Sequence, residues 1–310
     1  MKTFNAADLS PIELQNYLQY VVAPRPIALV STIDAEGNVN LSPFSFFNLF
    51  SMNPPVCVFS PSRRIRDNTT KHTLENLQQV PECVIHIVTA DIVHQTSLAS
   101  TEYAKGVNEF DKAGFTAIAS EVVKPPRVAE SNVQMECKVQ QIIPLGDGPG
   151  AGNLVLAEIV RFHISEELFD NDGGINQKKL NHVARLGGDW YAEVNPSNLF
   201  KVPKPVTGRG IGFDNLPDYI RLSKVLSGND LSHLANVDEM PSTDKADNYL
   251  QINADLLSQL DHLAAFPQSR VAFVHQRARR LIEKDNVTEA WLTLLAGNLY
   301  EEKELHNTVK

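Results

Sequence analysis

Over the first 200 residues, apolar positions recur in short runs that set branched and aromatic side chains against polar ones. Ile27–Thr32, Val56–Ser60, Cys83–Val88, Val133–Ile143 and Leu154–Ile164 carry this pattern, which predicts strands. Turn-forming residues separate them at Asp34–Asn38, Asn53–Pro55 and Gly146–Asn153. Few helices interrupt the runs. Ser10, Pro11 and Glu13 form a capping-box start for a helix ahead of the first strand, and short helices fit Thr73–Gln79 and Asp91–Ser100. Many short strands with few helices predict a closed β-barrel rather than an alternating parallel sheet.

After KVPKPVTGRG, Lys201–Gly210, the period changes. Ala254–Phe266, Arg270–Lys284 and Thr288–Glu302 repeat apolar residues every three or four positions, as in Trp291, Leu294, Leu295 and Leu299. Ile211–Gly228 reads as a loop, a proline-started helix and a glycine stop. The expectation is a mainly β domain over 1–205 and an α-helical extension over 206–310.

Two segments carry chemistry. In Pro24–Asn48 a strand runs into a loop holding Ser42, Ser45 and Asn48 among phenylalanines. Pro43 is expected to interrupt the ladder and free backbone N–H groups toward a ligand. Such a loop suits a flat ring with polar edges; an edge strand with its phenylalanines in the core is the equal alternative. In Ser60–Asn76, Arg63, Arg64, Arg66 and Lys71 stand among hydroxyl residues ahead of a helix start near Thr73. Cations, hydroxyl donors and a helix N-terminus are what a phosphate group requires, although a solvated basic loop has the same composition.

Composition narrows the partners. The net charge of -9 over 310 residues argues against a broad nucleic-acid or anionic-membrane surface. No apolar run reaches the length of a membrane span, and the first residues lack a signal-peptide pattern, so a cytoplasmic location is expected. Cys57, Cys83 and Cys137 form no metal or disulfide spacing and read as buried small hydrophobes. The histidines show no paired metal spacing, so no metal is expected. Gly146–Gly152 does not open a helix and reads as a hairpin loop rather than a dinucleotide fingerprint. Asp170–Gly174 fails the calcium-loop pattern and reads as a turn. No serine sits in a nucleophile elbow, and Gln276–Arg280 reads as the solvated face of a helix.

In their order, these segments resemble the flavin reductase-like family with the FMN-binding split barrel. The matching runs are PRPIALVST, NLSPFSFFN, the strand Pro54–Ser60, KHTLEN, Gly106–Thr116, Pro125–Ser131 and Ala184–Tyr191. They cover residues from about 20 to 195. The resemblance implies a six-stranded Greek-key split barrel, typically a homodimer with FMN at or near the subunit interface. It implies that Thr32, Ser42, Pro43, Phe44, Ser45 and Asn48 line the flavin, and that Ser60, Arg64, Lys71 and Thr73 hold its phosphate. His72 stands where the family has Asp. His163, Arg185 and Tyr191 match positions near the cofactor, and His163 and Arg185 are the candidates for a catalytic role. Three functions follow as expectations. One is an oxidoreductase passing electrons from NADH or NADPH through FMN to an acceptor. Another is an FMN-holding carrier that exchanges electrons with a redox protein partner. The last is a barrel that binds without redox turnover.

Overall fold

The computed structural model describes residues 1–202, 208 and 210–308, with side chains to residue 306. The chain divides into two compact units, Met1–Phe200 and Lys201–Lys310. The expected boundary between 205 and 206 lies outside the described residues.

The first unit opens with α1 (Pro11–Val21), started as its capping residues dictate. The Glu13 amide donates to Ser10 Oγ at 3.3 Å and the Ser10 amide donates to the Glu13 carboxylate at 2.9 Å. Strands follow in the order β1 (Arg25–Pro26), β2 (Ala28–Ile33), β3 (Val39–Phe44), β4 (Phe47–Met52), β5 (Pro55–Phe59) and β6 (Glu82–Ile87). After them come β7 (Ala117–Ile118), β8 (Arg127–Val128), β9 (Val133–Pro144), β10 (Asn153–Ile164), β11 (Val183–Arg185) and β12 (Tyr191–Glu193). Short helices α2 (His72–Gln79), α3 (Val93–Leu98) and α4 (Glu109–Ala113) lie between them. The helix expected over Asp91–Ser100 divides into a 3-10 turn, Ala90–Ile92, and α3.

One antiparallel sheet joins seven strands in the order β3-β2-β6-β9-β10-β5-β4. Its two edge strands, β3 and β4, are consecutive in the chain and linked only by Ser45 and Phe46. A flat sheet would hold the edges six spacings, roughly 29 Å, apart. A step of three residues spans at most about 11 Å. The sheet must therefore curl until its edges meet, and the register shifts in β10 at Leu156/Ala157 and Ile159/Arg161 supply bends. The resemblance implies six strands, whereas seven pair here, because the chain on both sides of Ser45 is in the ladder. Pro43 does not break it: Pro43 pairs with Leu29 inside β3, tolerated because β3 is an edge strand, with no strand on its other side among the described residues. The segment is thus an edge strand, as the alternative had it, but of its phenylalanines Phe44 is buried while Phe46 is exposed.

The apolar run Ile27–Val30 is continuous because β2 is buried on both faces. Ala28 and Val30 join Phe44, Phe59, Ile85 and Val155 in one cluster, while Ile27 and Leu29 join Leu41, Val88, Ile92 and Phe110 in another. Each fully buried side chain of this size contributes about 1.5–3 kcal/mol. Cys57, Cys83 and Cys137 sit in the first cluster as free thiols, and burial pushes the Cys57 thiol up to about 11. They pack as small hydrophobes. A separate sheet pairs β1 with β11 and β11 with β12, setting Arg25 opposite Arg185 and Arg185 opposite Tyr191.

The second unit contains α5 (Asp218–Arg221), α6 (Gly228–Ala235), α7 (Thr243–Ile252), α8 (Ala254–His262), α9 (Pro267–Ile282) and α10 (Val287–Thr308). Its core gathers Leu231, Leu234, Leu256, Leu260, Val274 and Leu294 around Trp291. The indole Nε1 donates to the Leu234 carbonyl at 3.0 Å, meeting the requirement that a buried N–H find an acceptor. Gly228 does not stop a helix as expected. It is the first residue of α6, because Ser227 and Asp230 form a capping box across it. Among the described residues, no helix is long and apolar enough to cross a membrane.

Candidate functional site

A cleft of about 900 Å³ opens in the first unit, within the size range of small-molecule and cofactor sites. Four pieces of chain make most of its wall, α1, the β3–β4 turn, the basic loop from Ser60 to Lys71 and the tip of the β9–β10 hairpin, and Arg25 and Glu102 add single side chains. From α1 and its C-terminal capping residue come Leu14, Leu18 and Val22, one stripe at four-residue spacing. With Phe46, Ile65 and Pro149 they make an apolar wall.

The glycine-rich hairpin is stitched to the basic loop. Arg63 N donates to the Ala151 carbonyl at 2.8 Å, and Asn68 Nδ2 donates to the Asp147 carbonyl at 3.0 Å. Close approach explains the glycine at 152, where a Cβ would lie 2.7 Å from Ser60 Oγ. Ser60 Oγ itself accepts the Asn153 amide at 3.0 Å.

The other end of the cleft is cationic. Lys71 caps α2 by position only, offering no side-chain hydrogen bond to the helix. Among the described residues its ammonium has no hydrogen-bond or carboxylate ion-pair partner, and it lies 5.3 Å from the centroid of the Phe44 ring. Burial lowers its pKa from the ordinary lysine value and the nearby Arg64 charge lowers it further, with the Glu102 charge partly opposing them. A desolvated cation with no direct carboxylate contact, beside the first N–H groups of a helix, favours an anion. Arg64 is held independently: Nη1 donates to Thr69 Oγ1 at 2.9 Å and to the Thr70 carbonyl, while Nε meets Glu102 at 3.1 Å.

A second, small cavity of about 60 Å³ shares Arg64, Lys71 and Glu102 with the cleft and adds Ser42 and Thr73. The Thr73 hydroxyl donates to Asn40 Oδ1 at 2.7 Å, and Asn40 Nδ2 donates to buried Glu109 at 2.9 Å. Burial raises the Glu109 pKa, against the hydrogen bond it receives from the Leu41 amide.

Of the residues expected at the site, Pro43, Phe44, Ser45, Ser60, Arg64 and Lys71 line the cleft, and Ser42 and Thr73 line the small cavity. The structure does not bring the other five there. Thr32 is fully buried in β2 and accepts from Asn76 Nδ2 at 3.1 Å. Asn48 is exposed on β4, where its side chain accepts the Leu49 amide at 2.8 Å. His163 Nε2 lies 2.8 Å from buried Glu136, which also accepts the amides of Glu121, Val122 and Val123. Burial raises the Glu136 pKa, but these donors outweigh it and the net shift is downward. Arg185 lies 4.6 Å over the Tyr191 ring, a pairing set by the β11–β12 register. Strand alternation and register, not proximity in sequence, send these side chains elsewhere.

Sequence reasoning missed three parts of the wall. The α1 stripe was legible as helical spacing but has no chemical signature. Gly148–Ala151 were recognised as a hairpin tip without a destination. Arg25 is the third: its guanidinium donates to the carbonyls of Gln19 at 2.6 Å, Val22 at 2.7 Å and Leu186 at 2.9 Å, and to Ser45 Oγ at 3.4 Å. It ties the end of α1 to the β3–β4 turn.

Residues 22–183, just over half of the chain, match the flavin reductase like domain. An uncharacterised protein of Halalkalibacterium halodurans is 36% identical over 203 residues, covering 65% of this chain and 95% of that protein. The structure of nitrilotriacetate monooxygenase component B from Bacillus cereus superposes with a TM-score of 0.61 at 32% identity, covering 65% of this chain and 98% of that one. A split-barrel domain structure from Shewanella frigidimarina gives a TM-score of 0.56 at 25% identity, covering 66% and 100%.

Proposed function

This chain belongs to the flavin reductase-like family, and we propose from that premise that it is an oxidoreductase holding FMN in the cleft and taking electrons from NADH or NADPH. The observation that carries the reading is the Lys71 ammonium at the start of α2, without a hydrogen bond or carboxylate contact among the described residues, at the cationic end of a cleft whose far wall is apolar. A phosphate belongs at the first end and a flat aromatic ring at the second. Lys71, Arg64 and the α2 N-terminus hold the phosphate in this reading, with Ser42 and Ser60 beside it. The β3–β4 turn, through Pro43, Phe44 and Ser45, meets the ring.

When bound, flavin supplies the hydride and electron chemistry, while the protein binds, orients and shields it. Leu14, Leu18 and Val22 exclude water from the apolar wall. The fixed donors of Arg25 hold Ser45 and the end of α1 in place for that role. Thr32, buried against Asn76, has no route to the cleft; Asn48, His163, Arg185 and Tyr191 do not line the cleft of their own chain and enter the site only if a second copy contributes them. A homodimer with FMN at or near the interface is therefore part of the proposal. The exposed Leu49, Phe50 and Met52 on edge strand β4 support it, since apolar edge strands favour covering. The protein works in the cytoplasm in this reading.

The test is an absorbance spectrum of the purified protein after incubation with FMN and desalting, followed by NADH or NADPH. Retained flavin bands that bleach rapidly are expected. Retained FMN that bleaches only slowly would shift the reading to an electron carrier serving a redox protein partner. Flavin that neither stays nor turns over would sink it.

A further inference from the structure

Glu102 stands where the cleft and the small cavity meet, lining both beside Lys71 and Arg64. Its carboxylate bridges two arginines of the basic loop, with Oε1 3.1 Å from Arg64 Nε and Oε2 3.0 Å from Arg66 Nη2. Hydrogen bonding from Arg66 holds its carboxyl below the ordinary range, with Arg64 adding to that effect, so it is ionised near neutral pH. The guanidinium edge that the sequence assigns to a phosphate is therefore already engaged by an anion of the protein's own.

Resting on the FMN reading above, we infer that Glu102 is an internal counter-ion at the phosphate end of the cleft, which an incoming phosphate monoester must displace from Arg64. Two features favour competition over simple bracing. Arg64 does not depend on Glu102 for its position, because Nη1 is anchored to Thr69 and the Thr70 carbonyl. Glu102 is a half-exposed side chain on an irregular segment, so it can swing away at small cost. A phosphate monoester carries about -1.5 to -2 charges and three acceptor oxygens near pH 7. It can thus replace one carboxylate on Arg64 while also engaging Lys71. A ligand without phosphate gains nothing from the displacement. Glu102 in this way weakens FMN binding without touching that of riboflavin, so it keeps the phosphate end from holding FMN as tightly as its cations otherwise could.

The experiment titrates FMN and riboflavin into the full chain and into Glu102→Gln, read by flavin fluorescence at low and at moderate salt. Removing two exposed charge pairs predicts an FMN Kd lower by about three- to ten-fold. The gain should shrink as salt rises, with riboflavin unchanged. An FMN Kd that is unchanged or raised overturns the inference, as Glu102 would then brace the arginines. An equal gain for riboflavin overturns it too. Lys71→Ala run alongside separates the two readings: weakened FMN binding in Lys71→Ala with none gained in Glu102→Gln removes the counter-ion alone. FMN binding indifferent to both variants removes the phosphate site itself, and the counter-ion with it. Coincident thermal melts verify that the variants are folded.

Discussion

Two kinds of helix occur in this molecule. Helices α9 and α10 of the second unit are held by what they bury: Val274, Ala278 and Ile282 from one, Ala290, Trp291 and Leu294 from the other. Gly297 on α10 approaches Val274 so closely that a Cβ would lie 2.7 Å from it. Helix α1 buries none of its eleven residues. It is held at its ends, by the Ser10–Glu13 capping box and by Arg25 on its last carbonyls. An isolated helix of this length is marginal in water. The Tyr20 ring also packs on Gly187, where any Cβ would collide at 2.3 Å. A helix built by its core is structural; one fastened at its ends over an open cleft is available to a ligand.

The contrast can be broken or sharpened by experiment. The largest effect is expected from Trp291→Ala, which removes the centre of the helical core and should cost about 3–5 kcal/mol in denaturant unfolding. FMN binding should be unaffected, and a parallel loss of flavin would contradict the division of roles.

Acid should act on the barrel through His86. It is fully buried, receives the Val128 amide on Nε2 at 2.9 Å, and places Nδ1 2.8 Å from the Leu29 carbonyl. Burial lowers its pKa to about 4. Because the folded value is depressed, the unfolded chain binds the extra proton first. The stability is complete above about 6.5 and is lost as pH falls toward 4, on the order of 3 kcal/mol. Burial moves His275 of the helical core in the same direction. Urea unfolding of the barrel, followed at pH 7 and at pH 4.5, should show the drop; equal midpoints would exclude a buried neutral His86.

Lys71→Ala should weaken FMN binding by about 1.5–3 kcal/mol, the size of a charge-assisted hydrogen bond. Its effect on stability should be small, because the ammonium makes no direct hydrogen bond or carboxylate contact among the described residues. The smallest effect concerns α1 itself. Ser10→Ala should cost about 1 kcal/mol of local helix stability, seen as faster amide exchange over 11–21 with no change in α9. FMN should slow exchange in α1 and leave α9 alone. Protection of α1 that is already high without flavin would erase the distinction.

Much of this was legible before folding. The capping box at Ser10, the strand runs at Val133 and Leu154, the helical period around Trp291 and the cationic cluster before Thr73 are all local signals. Each depends on residues a few positions apart, and local sterics and hydrogen bonding decide such features wherever they occur. The order of seven short motifs was sufficient for the family. What neighbouring residues could not decide was where each side chain points. Register put Thr32 and His163 elsewhere, since one residue of slip reverses a strand's faces, while the packing of the basic loop and α2 left Lys71 at the cleft. Curling of the sheet brought β3 to β4, and the Gly148–Ala151 hairpin onto the Ser60 loop, across about 90 residues of chain. Arg25 met Leu186 and Ser45, and Glu102 met its arginines, only in the folded barrel, because contacts over 20 to 161 residues of chain exist only once it has closed.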